Sequence, residues 1–475
     1  MTPDRRVPDD DQLPQLARLF DVEAMSRHIE SAWTPQGHAE PSESAGRVLS
    51  CEIERVKYRP GRNCVVGYRV RMRLPRERAA FDGSLQPRPA RIATRRICAA
   101  MYPLAEAEQR YARARQRAAH EDRVALLPDH GLLLWQFPVD RKLAALPRLA
   151  DPRWLRSSRL PQLVEARWGL GWQIEGVRSR LVSYFPDHAA TLQARLHLAD
   201  VAAGRRRIWN VFGKVRYDDS GTRIFDAMRR LCDSAACVAG DVGYARPIAV
   251  DAADRILWQD GVDAPTLDAV LDDQGGSASL WQRVTRAVAA LHASDLDLPV
   301  VTTRESLLAE IGRARDVLAR AVPQESTRVR ELADRLIAAA AEFGMAADAT
   351  LHGDLHSKNL LIGADRVFII DLDRIGRGPA LADLGSLLAE TVLRDCLAAN
   401  AVDEARLEAI ARGYAAASGR AIDGRELRWQ LAAALLRERA YRCVTSLKPG
   451  RIEALPAVLA AASAALSGRG FEASP

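Results

Sequence analysis

The chain has 475 residues, of which 48% are hydrophobic and 27% are charged. This length exceeds the usual size of one domain, and the composition is typical of globular proteins rather than disordered or fibrous ones. The net charge of +7 comes from arginines dispersed among acidic residues, so nucleic-acid binding is not expected. Charged residues interrupt every apolar run, and the N-terminus has no apolar signal core, so we expect a cytoplasmic protein without a membrane span.

Cysteine and lysine usage narrows the possible chemistry. The seven cysteines are scattered and form no CxxC pair, so neither a disulfide framework nor a zinc site is predicted. Lysine is rare, and its positions are Lys57, Lys142, Lys214, Lys358 and Lys448. Because the chain uses arginine almost everywhere that a generic cation suffices, a retained lysine indicates a need for a compact ammonium group.

The first 270 residues alternate β-rich pieces with single helices and contain a diverged internal repeat. Each copy is predicted as a hairpin, a strand, a helix and an edge segment ending in Leu-Trp-Gln, with the copies at 56–137 and 182–261. Chance similarity between β-hairpins is the alternative explanation. If the repeat is real, Ala99 aligns with Lys214, so only the second copy keeps the basic residue.

From Glu305 onward the pattern becomes mostly helical, since apolar residues recur at helical spacing among charged ones. The predicted helices cover 304–321, 325–344, 380–397, 403–417, 425–447 and 452–467. The exception is 350–375, where the short apolar runs Leu-Leu-Ile and Val-Phe-Ile-Ile are bounded by Gly, Asp and Asn. This segment therefore predicts two short strands within helical surroundings.

Those two strands are flanked by residues suited to phosphoryl transfer. Asp354 can accept a hydrogen bond from an attacking hydroxyl and so orient it. Asn359 follows five residues later and Asp371 twelve residues after that, and their oxygens are ligands that Mg²⁺ prefers. The intervening strands should bring the two loops side by side.

This spaced set resembles the aminoglycoside phosphotransferase and choline kinase family, whose HGDxxxxN and IDxx signatures it matches. The resemblance covers about residues 175–390. The matching residues are Leu291-His292, His352-Gly353-Asp354, Asn359, Ile370-Asp371-Leu372-Asp373, Gly378-Pro379 and Ala382-Asp383-Leu384.

The resemblance implies a bilobal, protein-kinase-like α+β fold with a small β-rich lobe and a large helical lobe. The expected domains are an additional N-terminal α+β unit over 1–170, a nucleotide-binding small lobe over 171–265 and a helical catalytic lobe over 266–475. The N-terminal unit is interpreted as a diverged copy of the small lobe. Neither its role nor the oligomeric state follows from the sequence.

The resemblance also implies an ATP- and Mg²⁺-dependent kinase that phosphorylates a hydroxyl of a small molecule. A sugar, an amino alcohol and an aminoglycoside all stay open as the acceptor. Asp354 is then the catalytic base, and Asn359 and Asp371 are the metal ligands. The candidate acceptor helices contain about as many arginines as acidic residues, which favours a neutral or anionic acceptor over a polycationic one.

The nucleotide contacts are expected in the second repeat. Lys214 lies in an apolar strand, where a buried ammonium needs an anionic partner, and the resemblance makes the ATP phosphates that partner. A surface lysine is the alternative. Trp258, Gln259 and Asp260 fit the hinge between lobes, whose backbone would hydrogen-bond adenine; an ordinary buried strand end is equally consistent with Trp258.

Five further loop and helix residues have structural or open roles. His352 is expected to brace the backbone, and Asp383 to fix the loop as a hydrogen-bond acceptor. His356 and Lys358 either contact phosphate or substrate, or lie exposed to solvent. Asp373 either assists a second metal ion or hydrogen-bonds the loop.

Two departures from the family pattern support a rival interpretation. The hairpin at 184–188 has no glycine, and the helix after Lys214 offers Asp226 or Asp233 but no glutamate to pair with the lysine. A catalytically silent nucleotide-binding or partner-binding pseudokinase is therefore the alternative function. A protein kinase is less favoured, because Gly353 stands where those enzymes usually have arginine and no Ala-Pro-Glu motif follows Asp371.

Overall fold

The chain folds into two compact units in the computed structural model, which describes residues 6–32, 47–74, 78–81, 84–87, 91–117 and 123–468. The first unit comprises Met1–Ala150, Tyr184–Ala190 and Val444–Pro449, and the second comprises the remaining segments. The predicted domain boundaries at residues 170 and 265 stay predictions. No helix among the described residues has both the length and the apolar character needed to cross a membrane.

The first unit is built on a five-stranded antiparallel sheet with the order β1-β2-β5-β7-β6. Its elements are α1 Val22–Ala32, β1 Arg47–Arg59, β2 Asn63–Leu74, β3 Arg78–Phe81, β4 Ser84–Pro87, β5 Arg91–Met101, α2 Leu104–Arg117, β6 Val124–Leu127, β7 Leu132–Gln136 and α3 Leu146–Leu149. Strand β2 alternates as expected for a half-buried strand, because Val66, Tyr68 and Val70 are buried whereas Arg69 and Arg71 are exposed.

The second unit begins with a small lobe around a sheet of order β12-β13-β10-β9-β8. Its elements are α4 Pro152–Trp154, α5 Leu160–Trp168, β8 Trp172–Phe185, β9 Ala189–Asp200, β10 Arg205–Arg216, α6 Gly221–Cys232, α7 Ala235–Ala239, β11 Gly243–Tyr244, β12 Pro247–Asp251 and β13 Ile256–Asp260. In both five-stranded sheets a hairpin leads into a third strand, a helix follows, and the last strand pairs with the third. This shared topology agrees with the predicted repeat.

The turn between β8 and β9 belongs to the first unit and is held there by two charged residues. The Asp140 carboxylate accepts hydrogen bonds from the Tyr184 hydroxyl at 2.7 Å and from the Asp187 backbone N–H at 2.9 Å. Arg141 pairs with the Asp187 carboxylate, its Nε lying 3.0 Å from Oδ1. Asp187 has a φ of 63°, a left-handed conformation usually supplied by glycine. The glycine-free hairpin therefore turns sharply with the help of side-chain contacts.

The large lobe is helical apart from short strands that frame the two candidate loops. Its elements are α8 Leu267–Gln274, α9 Ala278–His292, α10 Arg304–Ala321, α11 Ser326–Ala339, β14 Ala349–Leu351, β15 Leu360–Ile362, β16 Val367–Ile369, β17 Gly376–Gly378, α12 Ala380–Leu397, α13 Glu404–Ser418, α14 Gly424–Ala434, α15 Tyr441–Thr445 and α16 Leu455–Ser467. A π-helical segment, Leu435–Ala440, joins α14 to α15. The helices predicted at 304–321 and 380–397 are confirmed, as are the two short strands.

The short strands pair so that the two loops are adjacent. Strands β15 and β16 form an antiparallel pair in which Leu360 faces Ile369. Strands β14 and β17 form a second pair, in which Leu351 faces Gly376. The small β-rich lobe followed by this helical lobe is the protein-kinase-like α+β fold that the sequence predicted.

Candidate active site

A buried carboxylate fixes the loop that follows β14. Asp383 on α12 is 3% exposed, and its two oxygens accept hydrogen bonds from the backbone N–H groups of His352 at 2.6 Å and Gly353 at 3.0 Å. Gly353 has a φ of 78°, and a Cβ atom there would lie 2.5 Å from the Arg374 carbonyl oxygen. Glycine is therefore required for the close approach of the two loops. The predicted role of Asp383 as a structural acceptor is confirmed.

His352 braces the same loop from inside, as predicted. Its Nε2 lies 2.8 Å from the Ile370 carbonyl oxygen, and its Nδ1 accepts the backbone N–H of Asp354 at 3.2 Å. The imidazole thereby links the backbone of residue 354 to that of Ile370. Behind it, His292 contacts Asp383 at 3.4 Å and the Tyr414 hydroxyl at 2.7 Å. The Leu-His pair at the end of α9 thus supports the loop anchor.

Asp354 lies next to basic side chains. Its Oδ1 accepts a hydrogen bond from Arg442 Nη2 at 2.9 Å, and His356 Nε2 lies 3.9 Å from Oδ2. Burial alone would raise the pKa of Asp354, but Arg442, followed by His356 and Arg374, lowers the pKa to about 2. The carboxylate is therefore ionised and ready to accept a hydrogen bond from a substrate hydroxyl.

Asn359 and Asp371 present oxygen atoms of the kind that Mg²⁺ prefers. The Asn359 side-chain N–H donates to the Asp354 carbonyl oxygen at 3.0 Å, and in the described part of the chain no group donates to its Oδ1. The Ile370 backbone N–H donates to the Asn359 carbonyl oxygen at 3.0 Å, which brings Asp371 next to this loop. The hard donor set fits the ion.

These side chains would not form a complete metal site by themselves. No cluster of three or more histidine, cysteine, aspartate or glutamate residues suited to a metal ion occurs among the described residues. Magnesium commonly takes only one or two carboxylates from a protein and completes its coordination with water and substrate phosphates. The arrangement is thus consistent with a metal ion that arrives with a nucleotide.

Lys214 lies between the two carboxylates of the second loop. Its Nζ is 2.5 Å from Asp371 Oδ1 and 2.6 Å from Asp373 Oδ2, and Arg216 pairs with the same Asp373 oxygen. Burial would lower the pKa of Lys214, but the two aspartates raise it, so the ammonium stays charged. Lys214 occupies β10 beside Gly213, whose missing Cβ makes room for the Trp258 ring.

The glutamate that was missing from the helix after Lys214 has a substitute elsewhere. On α6 and just beyond it, neither Asp226 nor Asp233 lies within 4 Å of the lysine among the described ion pairs. Asp373 supplies the stable carboxylate partner instead, and it is itself held by the buried Arg216. Two roles were open for Asp373, and its observed contacts are ion pairs with Lys214 and Arg216 of β10.

The predicted hinge residues have well-defined partners in the small lobe. The Trp258 side chain is fully buried and donates to Asp251 at 2.7 Å, so its ring packs within the sheet. Asp260 accepts hydrogen bonds from Trp209 at 2.8 Å and Arg167 at 2.9 Å, and its backbone N–H donates to the Arg246 carbonyl oxygen. A role of this segment in adenine binding stays a prediction, in which Gln259 and the neighbouring backbone are the available groups.

Of the two undecided loop residues, His356 is held within the loop and Lys358 is exposed. His356 Nδ1 accepts the Lys358 backbone N–H at 3.3 Å, and its Nε2 lies 3.4 Å from Asn359 Nδ2. The Lys358 side chain is 60% exposed and lies 3.6 Å from Asp268.

Three arginines of the site were not predicted from the sequence. Arg216 lies two residues after Lys214 on one strand and therefore shares its face, a signal that was present in the strand pattern. Arg374 directly follows the Asp-Leu-Asp segment. Arg442 lies 88 residues from Asp354 on a separate helix, and nothing in the local pattern connects the two.

The fold and the loop arrangement define a kinase-like protein with a phosphotransferase-type site. Residues 201–429 match the model of the Phosphotransferase enzyme family, which confirms the resemblance seen in the motifs. A search of curated proteins found no match to the chain.

Several solved structures are similar to this chain at low sequence identity. A choline/ethanolamine kinase family protein from Mesorhizobium loti is 17% identical, with a TM-score of 0.44 over 65% of this chain and 93% of that one. A choline kinase from Cryptosporidium parvum Iowa II is 12% identical, with a TM-score of 0.41 over 61% and 88%. A thermostable mutant of the aminoglycoside phosphotransferase APH(4)-Ia, in a ternary complex with ADP and hygromycin B, is 14% identical, with a TM-score of 0.41 over 66% and 100%.

Proposed function

We propose that the chain transfers the γ-phosphoryl group of ATP, with Mg²⁺, to a hydroxyl group of a small molecule. The observation that carries the proposal is that Asn359 contacts Asp354, Lys214 contacts Asp371, and a backbone hydrogen bond from Ile370 to Asn359 joins the two pairs in one site. They supply an acceptor for the substrate proton, oxygen ligands for a cation and an ammonium for phosphate. Phosphoryl transfer requires these groups and little else, since positioning and electrostatic stabilisation account for most of its catalysis.

Each residue then has a defined task. The ionised Asp354 carboxylate would accept the hydrogen bond of the substrate hydroxyl and turn its oxygen toward the γ-phosphorus. Asn359 and Asp371 would hold Mg²⁺, which neutralises phosphate charge when bound. Lys214 would exchange Asp371 for the nucleotide phosphates while Asp373 keeps it in place. The backbone of Trp258, Gln259 and Asp260, together with the Gln259 side chain, would form the adenine-facing edge.

Substitution of Asp354 by asparagine should reduce acceptor-dependent turnover by about 10² to 10⁴-fold, the usual contribution of a positioned general base. The amide has nearly the same shape, so the loop contacts of His352 and Asn359, which involve the backbone of residue 354, should persist. The test is to measure ATP consumption with Mg²⁺ and pooled hydroxyl-bearing metabolites for both proteins. Equal turnover by the variant would refute the role of Asp354.

Substitution of Lys214 by methionine should raise the KM for ATP by about tenfold to a hundredfold, because a charge-assisted contact worth roughly 1.5–3 kcal/mol is lost. The thioether side chain has a similar length and can occupy the same partly buried path. A matched control is Lys358→Met, since Lys358 is 60% exposed and lies on the neighbouring loop. An unchanged KM in Lys214→Met would contradict the phosphate-binding role.

A catalytically silent nucleotide-binding module is the second candidate. The glycine-free turn at Asp187 favours it, and so does the occupation of Lys214 by two aspartates. The two proposals differ in one measurement: both expect Mg²⁺-ATP to bind, as seen by calorimetry, whereas only the kinase consumes ATP in the presence of an acceptor. Binding without turnover for every pooled metabolite would favour the silent module. We also propose a cytoplasmic location, as the sequence predicted.

A further inference from the structure

An arginine covers the carboxylate proposed as the catalytic base, Asp354. Arg442 lies on α15, and its Nη2 donates to Asp354 Oδ1 at 2.9 Å. The Arg442 side chain is 45% exposed and the Asp354 side chain 31% exposed, so both ends of the pair face solvent in part. A substrate hydroxyl that approaches Asp354 must therefore approach the Arg442 guanidinium as well.

A second arginine lies on the other side of the same loop. The Arg374 backbone packs directly against Gly353, and its side chain is exposed. Within the described part of the chain, no carboxylate lies within ion-pair distance of the Arg374 guanidinium, although its charge acts on Asp354. Arg442 at the Asp354 carboxylate and Arg374 in the cleft beside Gly353 are thus two arginines near this loop.

The glutamate in the cleft beside this loop already forms an ion pair with an arginine. The cleft next to Gly353 and Arg374 contains Glu310 and Arg437, which pair at 2.8 Å.

The same pattern holds for the glutamates around the π-helical segment. Glu438 accepts from Arg437 at 2.7 Å and from Ser386 at 2.8 Å, and Glu390 pairs with Arg439 at 2.8 Å. Burial lowers the pKa of His356 in the Asp354 loop, and the charges of Arg439 and Glu390 make smaller contributions of opposite sign. A cationic acceptor would have to displace an arginine from a partly buried ion pair, which is costly.

We infer that the acceptor is an anionic hydroxyl compound, a phosphate ester or a carboxylate, whose charged group binds Arg442 and Arg374. This inference rests on the proposed phosphotransferase function. Arginine suits such a ligand because its planar guanidinium matches the geometry of carboxylate and phosphate oxygens. On binding, Arg442 changes partner from Asp354 to the substrate anion, which frees Asp354 Oδ1 for the substrate hydroxyl.

The γ-phosphoryl group is then transferred in one step. The substrate hydroxyl gives its proton to the Asp354 carboxylate, and its oxygen forms a bond to the γ-phosphorus. The bond between that phosphorus and the β,γ-bridging oxygen breaks, and ADP leaves with the electron pair. An anion that draws Arg442 away removes the cation that competes for Asp354, so binding and activation of the acceptor are coupled.

The test uses the full chain and acceptors that share a scaffold but differ in charge. Glycerol is compared with glycerol 3-phosphate and glycerate, glucose with glucose 6-phosphate and gluconate, and choline serves as a cationic probe. The expected result is that an anionic member has the highest kcat/KM. A higher kcat/KM for choline or for a neutral compound than for every anionic one would overturn the inference.

The variant Arg442→Gln tests whether Arg442 binds the charged group of the acceptor. Its KM for the anionic acceptor should rise by about tenfold to a hundredfold, whereas its KM for ATP should stay unchanged, and Arg442→Lys should recover part of the loss. Arg425→Gln is the control, because Arg425 is a 70% exposed arginine on α14. A purely structural role of Arg442 would change both KM values or neither, and either result would contradict the assignment.

A binding measurement separates failure of this inference from failure of the proposed function. Mg²⁺-ADP binding by calorimetry tests the nucleotide site alone. With Mg²⁺-ADP present, the anionic compounds should raise the unfolding temperature of the wild type more than glycerol or glucose does, and should lose this effect in Arg442→Gln. If the nucleotide binds but no anion stabilises the protein, the acceptor inference is wrong while the nucleotide site stands.

Discussion

Replacement of Asp371 by alanine should reduce Mg²⁺-ATP turnover by on the order of 10³-fold, the scale of losing one preorganised charge-stabilising group. The carboxylate is the only ionised member of the proposed metal-ligand pair, and Asn359 alone cannot balance the charge of a divalent cation. The protein should still fold, because the Asp371 side chain is 46% exposed and Lys214 keeps Asp373 as a partner at 2.6 Å.

The backbone at this position calls for a second variant. Asp371 has a φ of 62°, so alanine adds roughly 1–2 kcal/mol of left-handed strain that asparagine largely avoids. Turnover should therefore fall strongly in both Asp371→Ala and Asp371→Asn, while the loss of unfolding free energy should be larger in the alanine variant.

The control for this experiment is Asp365→Ala, in the exposed turn between β15 and β16, and it should match the wild type in both measurements. Wild-type turnover in Asp371→Asn and Asp371→Ala would exclude Asp371 as a metal ligand.

The parts of the site that could be predicted from the sequence are local. Asp354, Asn359 and Asp371 fall within one short segment, where spacing and two brief apolar strands determine which residues are neighbours. His352 and Asp383 were assigned correctly as supports, and Asp383, at the start of α12, accepts the loop N–H groups. The helices of the large lobe were likewise evident from their apolar periodicity.

The parts that could not be predicted depend on long-range packing. Asp373 as a lysine partner requires β10 to lie against the loop that also carries Asp371, 157 residues from Lys214. The sequence pointed only to Asp226 or Asp233, whose side chains are shorter than the expected glutamate. Arg442 reaches Asp354 from the end of a helix whose path includes a π-helical segment, which alters the helical phase after residue 435. A period of 3.6 residues projected through that segment misplaces every following side chain.

The turn at 184–190 illustrates a different limit. The missing glycine was noted as a departure, but the sequence did not reveal that Asp187 adopts the left-handed conformation itself. Asp140 and Arg141, far away in sequence, provide the hydrogen bonds that stabilise this turn. Local propensity therefore predicted that this turn needs a glycine. Tertiary contacts instead stabilise the left-handed backbone of a non-glycine residue.

Loss of the Asp383 carboxylate should have the largest effect on stability. In Asp383→Ala the backbone N–H groups of His352 and Gly353 lose their acceptor, and His292 loses its contact inside the lobe. Removing one partner of such a buried, charged network costs about 3–5 kcal/mol of unfolding free energy. Turnover should fall as well, because the backbone that aims Asp354 is no longer fixed.

Asp383 also makes the unfolding free energy depend on pH. This pH dependence separates the effect of its charge from the effect of its shape. Burial would raise the pKa of Asp383, but His292, His352 and the loop N–H groups lower it below the ordinary carboxyl value. Its stabilisation is therefore complete above the ordinary pKa and is lost as pH falls through the lower folded-state value. Urea unfolding of wild type and Asp383→Asn should give a stability gap that is widest near neutral pH and narrows in acid. The control is Asp334→Ala, at a 69% exposed site on α11, which should show no such gap. A gap in Asp383→Asn that does not change with pH would mean that the shape of Asp383, rather than its charge, anchors the loop.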